Sequence, residues 1–229
     1  MNYGNIRNWY RTATSACLAV AGVALAAYPL LRPYSDEKTL SGAAAFASTA
    51  WVFAHLLAVL GFALIAAAML LDVASRPATR NGLRLAAAVT GIAAVTLLSL
   101  YYGFECFALN EIGKAALEAN SDEGMALADQ IRNHPAALTL FGLGWLALGV
   151  AVTLWVVALR SGWAPIAFAA LVWLYLPQFF LPSAGRIAHG VLVMIAAFAT
   201  AWVLYAPSQR RPEQPDGNPA FTGTSPSVS

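Results

Sequence analysis

Six runs of apolar residues, each separated from the next by a short polar stretch, set the pattern of this chain. They fall near Thr14–Leu31, Ala47–Leu71, Leu83–Leu109, Pro135–Leu159, Trp163–Leu181 and Ser183–Tyr205. An α-helix needs about 20 such residues to cross a bilayer, and all six runs come close to that length or exceed it. The runs are apolar nearly all round, as expected of helices surrounded by lipid and by one another. They predict an all-α, polytopic transmembrane bundle of six spans over residues 1–206. The tail, 207–229, rich in Pro, Ser and Gly, is expected to be disordered. Arg7 and Arg11 before a modest apolar stretch ending near Ala26-Ala27 also match a signal peptide. Apolar residues continue through Leu30-Leu31 with no polar cleavage region, so the first run is read as a retained span.

Composition supports the membrane class. Of 229 residues, 59% are hydrophobic and 10% charged, with mean hydropathy +0.64, whereas a soluble domain carries about a quarter charged residues. A dispersed net charge of +2 excludes a nucleic-acid partner. The lipid bilayer is the expected partner, and oligomerisation stays open. Ala-rich, Arg-over-Lys usage fits a GC-rich bacterial genome, which places the chain in a bacterial plasma (inner) membrane. Cys17 and Cys106 fall at opposite ends of their spans and read as small buried apolar side chains, not a disulfide.

Basic residues give the orientation. With the N-terminus inside, the cytoplasmic side holds Arg7, Arg11, Arg76, Arg80, Arg84, Arg160, Arg210 and Arg211. The outer side holds Arg32, Lys38, Lys114, Arg132 and Arg186. The excess predicts that both termini are cytoplasmic. Two outer segments then have content. One is the short polar link Pro33–Ala45, and the other is an acidic helical loop over 110–134 with five acids against Lys114 and Arg132. Ser121-Asp122-Glu123 reads as a helix start, and Asn133-His134 before Pro135 as the cap of the fourth span. Trp9, Tyr10, Tyr28, Trp51, Trp163 and Tyr205 lie near span ends, where amphipathic rings favour the headgroups.

On this topology the polar residues within spans gather at one depth. His55 comes about eight residues into the second span, or roughly 12 Å below the outer boundary. Glu105 lies near the outer end of the third span, inside the run Tyr101–Glu111, with Tyr101 and Tyr102 one turn before it. His134 opens the fourth span, Gln178 closes the fifth, and Arg186 and His189 share one face at the start of the sixth. No comparable set is expected at the inner end. Pro177 leaves the carbonyl of Trp173 without its donor and predicts a kink beside this cluster. Glu105 is expected to pair with Arg186 or a protonated histidine, because a lone charge in hydrocarbon is costly.

The leading reading is a pocket that binds or translocates a small solute, proton or ion. In it Glu105 supplies charge, His55 and His189 exchange protons, Arg186 holds an anionic group, and Tyr101, Tyr102 and Gln178 line the walls. A metal ion or haem held among His55, Glu105, His134 and His189 is the alternative, although no ligand spacing such as HExxH is present. A third reading is an accessory or sensory scaffold whose polar groups lock helix packing. No Gly-rich phosphate loop or serine elbow occurs, so the reading leans away from an enzyme. The runs Tyr101–Gly113 and Pro177–Gly190 resemble segments of small multi-pass membrane proteins of actinobacteria. That likeness implies a multi-span topology and no active site.

Overall fold

A long apolar run in a dry environment must close its backbone hydrogen bonds within itself, which leaves the helix as its local solution. The computed structural model describes residues 3–76, 81–160 and 162–206, and every regular element among them is a helix. In order these are α1 (Tyr3–Leu31), α2 (Leu40–Ala47), α3 (Thr49–Ala74), α4 (Gly82–Cys106) and α5 (Ala108–Ala119). There follow α6 (Met125–Arg132), α7 (Pro135–Leu159), α8 (Trp163–Trp173), α9 (Tyr175–Gln178) and α10 (Ser183–Tyr205). The expectation for 207–229 falls outside the described residues.

Five helices are long and apolar enough to cross a membrane: α1, α3, α4 running on into α5, α7 and α10. The fifth predicted run is not a continuous span. It divides into the 11-residue α8 and the 4-residue α9, then closes with turns in which Phe179 N donates to Leu176 O and Phe180 N to Pro177 O. Pro177 has no N–H for the carbonyl one turn before it, so the α-ladder stops there. Even so, α8 packs against both α7 and α10. It closes a ring in which α1 meets α3 and α10, and α4 meets α3 and α7.

The centre of the ring is aromatic. Trp145 stacks on Tyr175 with centroids 4.5 Å apart, and Phe62 meets Tyr102, Trp145 and Tyr175 edge to face. Gly144 lets α7 approach α4, since a Cβ there would sit 2.8 Å from Leu98 Cγ. Gly144 therefore serves a packing contact, whereas Gly142 faces open space.

Three short helices, α2, α5 and α6, form a cap over one end. Phe46, Trp51, Leu109, Met125 and Ala128 make a second apolar cluster there. α2 crosses α5 so closely that a Cβ on Gly113 would lie 2.6 Å from Ala43 O. Asn110 Nδ2 donates to Phe46 O at 2.7 Å. Met125 and Ala128 are buried in the cap while Leu127 points outward. α6 starts at Met125, four residues later than Ser121 predicts, with Asn120 in the left-handed region ending α5. α7 begins as the sequence indicates, with His134 Nδ1 accepting from Ala136 N and Pro135 in the first turn.

The opposite end corrects the expectation that it holds no comparable polar set. Asp72, only 4% exposed, lies at the end of α3, 17 residues or roughly 25 Å along the helix from His55. Its Oδ2 accepts from Arg84 Nε at 2.8 Å and from Trp155 Nε1 at 3.0 Å, while Arg76 Nε is 3.8 Å from Oδ1. Arg84 Nη2 also donates to Ala158 O, and Arg11 donates to Leu204 O, Tyr205 O and Ala206 O. Two of the arginines that bias the charge map thus satisfy the last carbonyls of α7 and α10, which have no donor within their own helices.

Replacing Asp72 by Ala strands the buried Arg84 guanidinium and should lower stability by about 3–5 kcal/mol. Asp72→Asn, which keeps one acceptor oxygen, should lower it less. Thermal melts of both variants in one detergent check the order, and equal melting points would contradict it.

Candidate functional site

The site is built at the cap end on Trp51. Ser48 caps α3, its Oγ accepting from Trp51 N at 3.1 Å, and this places the indole inward at the first turn. Trp51 is fully buried, and its Nε1 donates to the backbone carbonyl of Glu105 at 2.6 Å. The ring that the sequence assigns to a headgroup boundary therefore locks α3 to the end of α4. It also lies under two cations, with the Arg32 guanidinium 4.6 Å and the Arg132 guanidinium 5.5 Å from its centroid.

Glu105 does not pair with Arg186. Its partner is Arg132, at the end of α6, in a two-pronged bond: Nε to Oε1 at 2.7 Å and Nη2 to Oε2 at 2.8 Å. Arg132 Nη1 donates to Glu37 Oε2, and the other oxygen of Glu37 accepts from Arg32 Nη2 at 2.6 Å. The result is an alternating chain, Arg32–Glu37–Arg132–Glu105, linking the end of α1, the 32–39 link, α6 and α4. Planar guanidinium forks suit such paired carboxylates better than an ammonium would. Burial alone would push the Glu37 carboxyl up, but Arg132 and Arg32 outweigh it and hold the group below its ordinary value of 4.5.

His55 lies beneath this chain. Its Nδ1 is 2.7 Å from Trp51 O, and because a carbonyl only accepts, Nδ1 carries the proton. In the neutral ring Nε2 is then a lone pair, 3.7 Å from Glu105 Oε2. Two acceptors face each other across a gap that a proton or a small donor would bridge.

The sequence-predicted residues separate into two groups. His55, Glu105, Tyr101, Tyr102 and Arg186 line one cavity of about 320 Å³, together with Tyr28, Arg32, Arg132, Phe141 and Phe179. His189, Gln178 and His134 do not line it. His189 Nε2 donates to Leu171 O at 2.9 Å, and its ring sits edge-on to Tyr175. Gln178 is buried beside a neighbouring space of about 10 Å³, and exposed His134 is the α7 cap. His189 and Arg186 do share a face, as their spacing predicts, but that face serves the broken run. Arg186 Nε donates to Leu181 O at 2.9 Å and its Nη2 to Phe179 O. The α8–α9 break leaves carbonyls without helical donors, and α10 supplies the replacements.

The proposed metal ligands do not converge. Among the described residues, no group of three or more His, Cys, Asp or Glu side chains is arranged to hold a metal ion, because His55, His134 and His189 are committed to three different carbonyl or cap contacts. Cys17 and Cys106 are both free thiols.

Sequence reasoning missed Arg32, Glu37, Arg132, Trp51 and Tyr28. Tyr28 stands four residues before Arg32 on one helix face, a spacing that was available to read. Arg132 gave no such signal, since it lies 27 residues from Glu105 in an acidic loop.

The class these features define is a polytopic α-helical bundle compatible with an integral membrane protein, with a buried ionic chain and a cavity at its capped end. No family model matches the chain, and comparison with curated proteins and with solved structures likewise gives no match.

The depressed Glu37 group stabilises the fold fully above the ordinary carboxylate value of 4.5 and loses that contribution as pH falls through its lower, folded value. The melting temperature should therefore drop as the medium is acidified below that point. Glu37→Gln should melt lower at neutral pH, by about 1–3 kcal/mol, and show a shallower acid limb. Parallel curves for the two proteins would contradict this.

Proposed function

We propose that this chain is a bacterial plasma-membrane protein crossing the bilayer six times, with both termini cytoplasmic, and that its outer, capped end binds a small solute or exchanges a proton or ion. The observation that carries the reading is the single cavity shared by His55, Glu105, Tyr101, Tyr102 and Arg186, side chains from α3, α4 and α10 that nothing in sequence order brings together. Its volume of about 320 Å³ is at the lower end of the range for small-molecule sites. In this reading α8 and α9 make up the fifth of the six crossings. Residues 163–178 span roughly 24 Å as helix, short of a full bilayer. Interrupted helices are tolerated at membrane depth where they are buried in protein or line a cavity.

Each residue then has a role. Glu105, charge-paired on one side by Arg132, offers its free flank to His55. The His55 Nε2 lone pair and Glu105 Oε2 form an acceptor pair ready to take a proton or a ligand N–H or O–H. Tyr101 and Tyr102 supply ring and hydroxyl to the lining, and Arg186 adds a cation to it.

The test uses the full chain purified in neutral detergent and a panel of neutral, cationic and anionic solutes read by thermal shift. At least one class should raise the melting temperature, and His55→Ala and Glu105→Gln should each reduce that rise by the equivalent of about 1–3 kcal/mol of binding energy. If neither variant changes any ligand-dependent shift, the polar cluster is a packing lock, and the binding reading is withdrawn. Reporter fusions at the two ends check the topology, and activity of an external reporter at the C-terminus would overturn the cytoplasmic placement.

A further inference from the structure

Arg186 differs from the other two cavity arginines. Arg32 and Arg132 are neutralised by Glu37 and Glu105, whereas Arg186 donates to the carbonyls of Phe179 and Leu181, lies 5.9 Å from the Tyr34 ring centroid, and has no carboxylate within ion-pair distance among the described residues. A guanidinium carries five N–H donors, and these two bonds leave three without a protein partner. Asp129 also lines the cavity, but it is exposed and accepts from Asn133 Nδ2 at 3.0 Å. Arg186 is thus the one cavity arginine with no carboxylate partner of its own among the described residues.

Position adds a second observation. Arg186 lies on the boundary between two spaces. One is the cavity of about 320 Å³, whose lining includes the apolar side chains of Leu138, Phe141 and Phe179, the last residue also bonded to Arg186 through its carbonyl. The other is a more open space of about 450 Å³ against the polar 34–38 segment. Leu138, within that apolar lining, is 47% exposed, so the apolar lining continues to the outside of the bundle. A cation at the junction of a polar mouth and an apolar lining open to the outside matches a molecule with the same division.

We propose that the cavity binds a monoanionic amphiphile, its carboxylate or phosphodiester on Arg186 and its apolar chain along Phe141, Phe179 and Leu138. This rests on the ligand-binding reading above and narrows it to one chemical class. Such a ligand supplies the charge that Arg186 lacks, and its chain replaces water against the rings, so both ends favour the same pose.

The experiment measures binding to the full chain in neutral maltoside micelles by thermal shift and titration. The probes are phosphatidylglycerol, laurate, phosphatidylcholine, inorganic phosphate and acetate. Phosphatidylglycerol, laurate or both should bind, with the other three at least about tenfold weaker. Binding of phosphatidylglycerol alone identifies a membrane phospholipid as the source, and binding of laurate identifies a free fatty carboxylate. Arg186→Gln should weaken the bound probe about tenfold or more, and the remote Arg7→Gln should leave it unchanged. Because Arg186 also holds the α9 turn, Leu138→Gln, at an exposed position, is the second variant and should weaken the amphiphile severalfold without changing the unliganded melt.

Equal binding of phosphatidylcholine, equal binding of inorganic phosphate or acetate, or insensitivity to both Arg186→Gln and Leu138→Gln would overturn the proposal. A neutral or cationic solute that binds in a His55-dependent way, while both amphiphiles fail, would overturn this inference and leave the broader binding reading standing.

Discussion

Everything at the capped end depends on Arg132 being held between two carboxylates. Its fork on Glu105 fixes α6 to α4, and its remaining nitrogen on Glu37 draws in the link from α1. A buried ion pair is weak evidence for net stability, because desolvation offsets much of the attraction. Its value here is geometric. Removing Glu37 strands Arg32, and removing Arg132 takes from Glu105 its guanidinium partner, so the two central groups tie four segments into one arrangement. The apolar cap cluster over Phe46 and Trp51 could slide against the bundle, but a bidentate fork could not follow it.

The second constraint is the interrupted run α8–α9. Pro177 stops the ladder, and the polar residues of the first two turns of α10 answer the loss: His189 takes Leu171 O, and Arg186 takes Phe179 O and Leu181 O. Two residues that look like a binding pair in sequence thus act first as backbone donors. Arg186 then has a second use, because its fork has more donors than the turn consumes. His189 does not, since its ring is enclosed by Tyr175 and the carbonyl it serves.

The two ends of the bundle solve one problem differently. At the end bearing Asp72, arginines close off the last carbonyls of α7 and α10, and Asp72 Oδ2 accepts from Arg84 and Trp155. At the capped end, the His55 Nε2–Glu105 Oε2 gap and the spare donors of Arg186 belong to groups that line a cavity. What marks the capped end as a site is that its unfilled hydrogen-bonding capacity meets a cavity, not its charge count.

Sequence alone determined the helical class, the positions of α3, α4, α7 and α10 to within a few residues and the end of α1 (whose start at Tyr3 lies eleven residues before the predicted Thr14), the proline break in the fifth run, and the residue types that must find partners. These follow from local rules: apolar length, the missing N–H of Pro177, and the cost of Glu105 in hydrocarbon. Tertiary structure alone decided the partners. Glu105 met Arg132, 27 residues on, instead of Arg186, and Trp51 turned inward. Asp72, one residue beyond the predicted second run and given no role there, became the centre of a second network. Pairing across helices depends on which faces meet, and runs that are apolar nearly all round carry no periodic signal to fix their rotation.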